Sequence, residues 1–88
     1  MMGKRIYPND KGLLIFKEGD YGQDIDDESK WIIRPPGEHA GIIFNKVITK
    51  NPEHHEIVEH KDGTITVNPS ILLGNRWHGN LIKGEWKP

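Results

Sequence analysis

The clearest structural signal in this chain is a hairpin, written Glu56-Ile57-Val58-Glu59-His60-Lys61-Asp62-Gly63-Thr64-Ile65-Thr66-Val67-Asn68. Two runs that contain β-branched residues flank Asp62-Gly63, and such a dipeptide supplies the positive φ that tight hairpin turns require. The pattern predicts two antiparallel strands, Glu56–His60 and Thr64–Asn68, joined by this turn.

Turn-forming residues also divide the rest of the chain into short segments. Six prolines and ten glycines leave little room for a long helix, and the segments between them are short and rich in Ile, Val, Thr and aromatic residues. A second turn is predicted at Ile82-Lys83-Gly84-Glu85, which divides a strand over Asn80–Trp86. Further strands are predicted over Leu13–Lys17, Trp31–Arg34 and Gly41–Ile48. We therefore predict a single, mostly β domain over residues 1–88, a small antiparallel sheet of hairpins with few or no long helices.

Residues 18–30 form an acidic segment, with six acidic groups and one lysine. This composition is typical of a solvated loop or a short surface helix. A loop that binds a divalent cation is the alternative. Its spacing does not match the calcium-binding loop, which needs oxygen ligands at alternating positions and a closing glutamate.

Length and charge exclude several classes of protein. A chain of 88 residues without cysteine buries only about 60–65% of its unfolded surface, so assembly into a homo-oligomer is the natural source of further stability. The net charge is −1 and the pI is about 6.5, which argues against a binder of duplex nucleic acid. No apolar run approaches the ~18–20 residues that span a bilayer, and the first residues lack the apolar stretch of a signal peptide. We expect a cytoplasmic protein without membrane contact.

The five histidines do not form a recognisable catalytic pattern. A metal-dependent hydrolase that uses His39, His55 or His78 is the strongest candidate of this class, but no HExxH-type spacing is present. Ser70 lies eight residues before His78 without the Gly-x-Ser-x-Gly sequence of a nucleophile elbow. We therefore predict a protein that is not an enzyme, with no metal and no cofactor.

A set of residues suited to ligand binding stands near the C-terminus and around residue 34. A tryptophan offers a ring on which a nucleobase can stack, two arginines can pair with phosphates, and a histidine, an asparagine and a serine can hydrogen-bond a base or a ribose. In that order they are Trp77, Arg76 and Arg34, and His78, Asn80 and Ser70. The alternative is that the tryptophans belong to the core or to a subunit interface. Because the positive charge is local, the set favours a small charged aromatic ligand over a long polymer. Because one small domain offers little concave surface, we expect the site between subunits.

The same region resembles a family of small, largely uncharacterised bacteriophage proteins. The shared motif here reads Asp62-Gly63-Thr64-Ile65-Thr66-Val67, Asn68-Pro69-Ser70-Ile71, Trp77-His78-Gly79-Asn80-Leu81 and Gly84-Glu85-Trp86. The likeness covers about residues 31–86. In many relatives a Cys-Pro-x-Cys-Gly knuckle, which suggests a bound zinc, matches the stretch Arg34-Pro35-Pro36-Gly37-Glu38-His39. Both cysteines are missing here, so zinc is not carried over.

The resemblance implies a phage protein that acts by binding. Some small phage proteins are oligomeric sponges that sequester the cyclic nucleotide signals of bacterial immunity, the anti-CBASS sponges. We therefore predict a non-enzymatic anti-defence protein that binds a cyclic di- or trinucleotide in the cytoplasm of the infected host bacterium. The alternative is a structural or protein-interaction module of phage origin, in which Trp77 and Trp86 anchor an interface and no small ligand binds.

Overall fold

The computed structural model describes residues 1–46, 54–73 and 77–88. These residues form eight strands: β1 (Lys4–Arg5), β2 (Asp20–Gln23), β3 (Lys30–Ile33), β4 (Gly41–Asn45), β5 (His54–Glu59), β6 (Ile65–Leu73), β7 (Trp77–Ile82) and β8 (Glu85–Lys87). The described residues contain no helix, which confirms the predicted mostly β fold. A membrane-spanning helix is accordingly not found among them.

The strands form one curled sheet in which each strand lies beside its neighbours in sequence. Pairing is antiparallel except between β1 and β2 and between β4 and β5. The N-terminal segment also reaches the far edge of the sheet, because Met2 bridges Glu85 and the Gly3 N–H donates to the Gly84 carbonyl at 2.7 Å. The predicted sheet of hairpins therefore closes on itself.

The core lies inside this curl. Successive side chains of a strand point to opposite faces of a sheet, and the inward positions carry the buried apolar residues: Tyr21, Trp31, Ile33, Ile43, Ile57, Ile65, Val67, Ile71, Leu81 and Trp86. The Trp86 Nε1–H donates to the Gly19 carbonyl at 2.8 Å. The indole is therefore buried without an unpaired donor.

Both predicted hairpin turns are confirmed. In the turn between β5 and β6, Gly63 has a φ of 89° and the His60 N–H donates to the Thr64 carbonyl at 2.8 Å. Lys83 and Gly84 join β7 to β8, with φ values of 47° and 77°. Positive φ at both central residues matches the right-handed twist of the flanking strands, which is why glycine stands at the second position.

The predicted strand over Leu13–Lys17 is wrong. This segment runs without a turn or bend but pairs with no strand of the sheet. The side chain of Asn9 accepts the Leu13 N–H at 3.0 Å, and that of Asp20 accepts the Lys17 N–H at 2.8 Å. The edge of β2 is occupied instead by β1. Local side-chain hydrogen bonds thus replace sheet pairing at both ends of the segment.

The acidic segment also differs from the prediction of a loop or short helix. Asp20–Gln23 is strand β2, and its first three residues are buried. Tyr21 enters the core, and Gly22 lies so close to Ile6 and Phe16 that an added Cβ would be 3.1 Å from the Ile6 carbonyl oxygen. Burial of one tyrosine therefore outweighs the acidic composition, and only the part after β2 is an exposed acidic loop.

The other predicted strands are present with shifted ends. The strand predicted over Gly41–Ile48 is described as far as Asn45, and its residues 47 and 48 lie outside the described residues. β6 continues past Asn68 to Leu73, and β7 begins at Trp77 instead of Asn80. Antiparallel pairing between β6 and β7 extends both strands beyond what their own sequences signal.

Candidate functional site

Three of the predicted ligand-binding residues lie on the outward side of the β6–β7 pair. We call this surface the outer face; it is formed by Thr66, Asn68, Ser70 and Leu72 of β6 and by His78, Asn80 and Ile82 of β7. Strand alternation directs these side chains away from the core, and His78 is exposed while Ser70 and Asn80 are half-buried. The structure therefore brings Ser70, His78 and Asn80 together.

Ser70 and His78 are in direct contact. The Ser70 Oγ lies 3.0 Å from the His78 Nε2, and which atom donates depends on the tautomer of the imidazole. An apolar residue lies beside this pair. Leu72 is directly opposite His78 in the ladder and is 53% exposed. The outer face thus combines a hydroxyl, an imidazole and an exposed aliphatic group.

A bulge in β6 positions Ser70. Val67 pairs with Leu81 and Ile71 pairs with Gly79, so the three residues Asn68–Ser70 stand opposite Asn80 alone. The Asn68–Pro69 peptide bond within the bulge is cis. From the inner side, the buried His55 places its Nε2 3.3 Å from the Ser70 carbonyl oxygen. Extra residues of this kind bend a strand and redirect its side chains.

Trp77 lies on the opposite side of β7 from His78. Its ring packs against the core at 5.3 Å from the Trp86 ring, edge to face at 89°. Gly79 makes room for it, because a Cβ added there would be 2.7 Å from the Trp77 Cη2. The Trp-His-Gly sequence therefore places Trp77 inward, against Gly79, and His78 outward, toward Ser70.

Arg34 and Arg76 do not join the described part of this site. Arg34 follows β3, four strands away from β7 in the sheet. Its guanidinium donates to the carbonyls of Phe16 and Glu38, both at 3.0 Å, and so holds two loops together. Arg76 lies outside the described residues. Their predicted pairing with phosphates stays a prediction.

A cation that the sequence analysis missed stands beside the outer face. Lys87 of β8 is the cross-strand partner of Asn80, and its side chain is 54% exposed. Its Nζ lies 3.7 Å from the Glu85 carboxylate, an exposed pair of the kind that contributes little energy and leaves the ammonium available. The two-residue turn at Lys83-Gly84 fixes this register, so the sequence could have predicted that Lys87 lies opposite Asn80.

The histidines proposed for a metal site are dispersed. His39 is exposed in the loop before β4, His55 is buried beneath the bulge, and His78 is on the outer face. Among the described residues, no three His, Cys, Asp or Glu side chains are grouped in a way that would hold a metal ion. The stretch Arg34–His39, which matches the zinc knuckle but lacks its cysteines, is a proline turn in which the Glu38 N–H donates to the carbonyl of the buried Pro35 at 3.1 Å.

An arginine stack at the other end of the sheet is a further feature that the sequence did not signal. The Arg5 guanidinium lies 4.8 Å from the Trp31 ring centroid and 5.0 Å from that of Tyr7. One of its nitrogens donates to Glu59 at 2.9 Å and to the Gly63 carbonyl at 3.3 Å. Nη1 thus has two oxygen partners, whereas Nε is buried without a hydrogen bond among the described residues. The two rings cover the guanidinium, so the stack is a structural clamp.

Comparison with known protein families, curated proteins and solved structures gives no match for this chain. The resemblance to small bacteriophage proteins therefore stays a prediction that rests on the motif residues. The fold and the outer face are the observations from which function can be argued.

Proposed function

We propose that the protein is a non-enzymatic binding protein that captures a cyclic di- or trinucleotide on its outer face. In this proposal His78 and Ser70 hydrogen-bond a phosphate or ribose of the ligand, Asn80 reads a base edge or a ribose, and Lys87 neutralises a phosphate. From the bacteriophage resemblance we take the setting, which is sequestration of an immune signal in the cytoplasm of an infected bacterium.

The Ser70–His78 contact is the observation that carries the proposal. It holds two side chains that exchange hydrogen bonds readily at 3.0 Å on a strand surface, where the backbone of the sheet fixes both Cα positions. Such pre-organisation lowers the entropy lost on binding. Asn80 and Lys87 extend the same row of the ladder across β7 and β8, so hydroxyl, imidazole, amide and ammonium groups are available to one anionic ligand.

The roles of the rings and arginines change in this version of the site. Trp77 packs inward against Trp86 and so supports the strand that carries His78. The Trp77 ring is half-buried, so a base can stack only on the part of the ring that is exposed to solvent. Lys87 takes the phosphate-pairing role predicted for Arg34. A contribution from Arg34 would have to come from another copy, since β3 and β7 lie four strands apart.

Calorimetry with a panel of cyclic di- and trinucleotides tests the proposal. We expect binding by the wild-type protein, and we expect His78→Ala to weaken it by roughly 1.5–3 kcal/mol, the range for a hydrogen bond to a charged group. Lys87→Ala should weaken binding and also reduce its salt dependence, because the phosphate contact is screened by ions. His39→Ala is the matched control, because His39 is an exposed histidine away from the outer face.

Absence of heat and of any thermal shift across the panel would reject the nucleotide ligand. Equal losses in His78→Ala and His39→Ala would reject the outer face as its site. Sequestration needs no turnover but does require tight binding, so recovery of the intact nucleotide after denaturation of the complex is expected. A cleaved nucleotide would instead indicate an enzyme.

A protein-interaction module is the second candidate, and the apolar part of the outer face favours it. Leu72 is 53% exposed and Ile82 is 40% exposed, and Val58 of the adjacent β5 is 41% exposed. Exposed aliphatic groups bounded by polar ones are a common feature of protein contact surfaces. Leu72→Gln removes the aliphatic group without adding a charge beside His78, so it should leave nucleotide binding nearly unchanged if Ser70 and His78 hold a nucleotide. Loss of a captured protein partner in Leu72→Gln, with no nucleotide binding in the wild type, would favour the module.

A further inference from the structure

The segment Leu13–Phe16 has the character of an edge strand although it is not part of the sheet. It runs without a turn or bend, and its side chains alternate between solvent and protein. Leu13 and Ile15 are 55% and 64% exposed. Leu14 and Phe16 are half-buried, and the Phe16 ring lies against β2, 3.6 Å from where a Cβ of Gly22 would stand.

The backbone of this segment offers unpaired groups on one side. Leu13 and Lys17 exchange hydrogen bonds with Asn9 and Asp20. The intervening alternate residues, Leu14 and Phe16, point their N–H and C=O groups to the opposite side of an extended chain. Within the described chain, no hydrogen bond is made by the Leu14 N–H, the Leu14 carbonyl or the Phe16 N–H. The Phe16 carbonyl accepts from Arg34 and retains a second lone pair.

We propose that two copies of the protein pair through this segment, as antiparallel strands related by a two-fold axis at Ile15. In this register Leu14 lies opposite the partner's Phe16, and the N–H and C=O groups of that pair exchange two hydrogen bonds. The symmetry-related pair, Phe16 opposite the partner's Leu14, exchanges two more hydrogen bonds. Four hydrogen bonds form from groups that lack sheet partners in the single chain, and none of the local bonds at Leu13 or Lys17 is broken.

The occupant is a second copy because the segment is complementary to itself. The two Ile15 side chains meet at the axis in a non-hydrogen-bonded pair, where cross-strand side chains approach most closely. Leu13 lies opposite Lys17 of the partner subunit, whose aliphatic stem can cover it. Glu18 falls opposite Gly12, so the register opposes no like charges. An exposed apolar strand with free backbone groups is a common template for such pairing.

This interface is independent of the proposed ligand site. The segment lies over β2, while the outer face lies on β6 and β7. A protein that binds no nucleotide can therefore still form this dimer, and a monomer can still bind through Ser70 and His78. The two proposals fail separately.

Sedimentation velocity from micromolar to near-millimolar concentration tests the dimer. We expect the wild type to dimerise and Ile15→Lys to remain monomeric, because it places two ammonium groups opposite each other at the axis. Ile15→Glu should also be monomeric. An equimolar mixture of Ile15→Lys and Ile15→Glu should form a heterodimer, since the opposed charges are then complementary. Circular dichroism shows that each variant is folded.

Ile82→Lys is the matched control, because it makes the same change at an exposed isoleucine on β7 and should dimerise as the wild type does. Hydrogen exchange gives a second readout: the Leu14 and Phe16 amides should exchange more slowly at high protein concentration, and Ile15→Lys should abolish that dependence. A wild type that is monomeric throughout would overturn the proposal. So would dissociation by Ile82→Lys in place of Ile15→Lys, or exchange at Leu14 and Phe16 that does not depend on concentration.

Discussion

The phenol of Tyr21 is fully buried, and its hydroxyl makes no hydrogen bond of ordinary geometry within the described chain. Burial raises the pKa of Tyr21 above its usual value of 10.0, and the positive charge of Arg5 opposes that shift. A raised pKa contributes stability that is present below pH 10 and is lost as the pH rises through the pKa of the folded state. Ionisation of Tyr21 therefore destabilises the fold at alkaline pH. At neutral pH the buried hydroxyl has a separate cost, because it lacks a well-formed hydrogen bond.

We expect Tyr21→Phe to increase the free energy of unfolding at pH 7 by about 1 kcal/mol, because it removes a buried hydroxyl whose interaction with the Ile65 backbone lacks good hydrogen-bond geometry. The loss of stability above pH 10 should become shallower. Urea unfolding at pH 7 and in the alkaline range measures both effects. Tyr7→Phe is the control, since Tyr7 is 63% exposed. A clear loss of stability in Tyr21→Phe at pH 7 would show that the hydroxyl has a partner.

The carboxylate of Asp62 anchors the hairpin turn through Thr64. It accepts the Thr64 Oγ–H at 2.6 Å and the Thr64 N–H at 3.0 Å, and these bonds lower the pKa of Asp62 from its usual value of 3.8. Stability from this group is present above pH 3.8 and is lost as the pH falls through the pKa of the folded state. Thr64→Val removes the side-chain bond, so NMR titration should show the Asp62 pKa moving back toward 3.8.

Asp27 provides an internal reference for that titration. Its pKa is lowered by the equivalent bonds from the Ser29 hydroxyl and N–H, in a loop that Thr64 does not touch. Thr64→Val should leave the Asp27 titration unchanged, and Ser29→Ala should show the reverse pattern. Movement of both carboxyl groups in either variant would contradict the local origin of the shifts.

The turn between β7 and β8 is the element where backbone geometry and packing act together. Gly84 has a φ of 77°, and an added Cβ would lie 2.8 Å from the Tyr21 hydroxyl oxygen and 3.1 Å from the Thr64 Cγ2. We expect Gly84→Ala to lower the free energy of unfolding by more than the ~1–2 kcal/mol that a left-handed residue costs alone. Chemical denaturation measures the loss.

Gly12→Ala separates the two contributions. Gly12 has a φ of 74°, and no atom of the described residues lies within 4 Å of an added Cβ, so this variant has the backbone strain without the clash. We expect it to lose about 1 kcal/mol. The difference between the two variants gives the cost of displacing Tyr21 and Thr64, and equal losses would mean that these side chains move away freely.

For the whole molecule, Arg5 joins the N-terminal strand to the hairpin of β5 and β6. Its contacts with Glu59 and Gly63 span 54 and 58 residues of sequence, and Trp31 and Tyr7 cover its guanidinium. We expect Arg5→Ala to lower the free energy of unfolding by about 1–3 kcal/mol, mainly through loss of the cation–π contacts, because the Glu59 side chain is 49% exposed and its carboxylate stays hydrated in the variant. Arg5→Lys should recover only part, because an ammonium lacks the planar fork.

Lys4→Ala is the matched control for this prediction, because the neighbouring Lys4 is exposed in the same strand. Urea unfolding measures all three variants. A loss in Lys4→Ala equal to that in Arg5→Ala would mean that strand β1 itself, and not the guanidinium clamp, closes the sheet.

Much of the candidate site follows from local rules. Alternation along a strand already separates Trp77 from His78, and the Lys83-Gly84 turn sets Asn80 opposite Lys87. The contact between Ser70 and His78 does not follow, because it depends on a bulge at Asn68–Ser70 whose position is set by the pairing of β6 with β7. The hydrogen bonds from Arg34 to two carbonyls could not be predicted from the sequence either, since one of the acceptors, Phe16, is 18 residues away.

The sequence alone determined the β class of this protein and its two tight turns, because β-branched runs and glycines with positive φ act within a few residues. The tertiary structure decided the closure of the sheet by residues 1–5, the loss of Leu13–Lys17 from the sheet and the burial of β2 inside an acidic segment. Each of these depends on which distant groups compete for the same backbone partners and core volume. That competition is settled only when the strands come together, so no local pattern can encode its outcome.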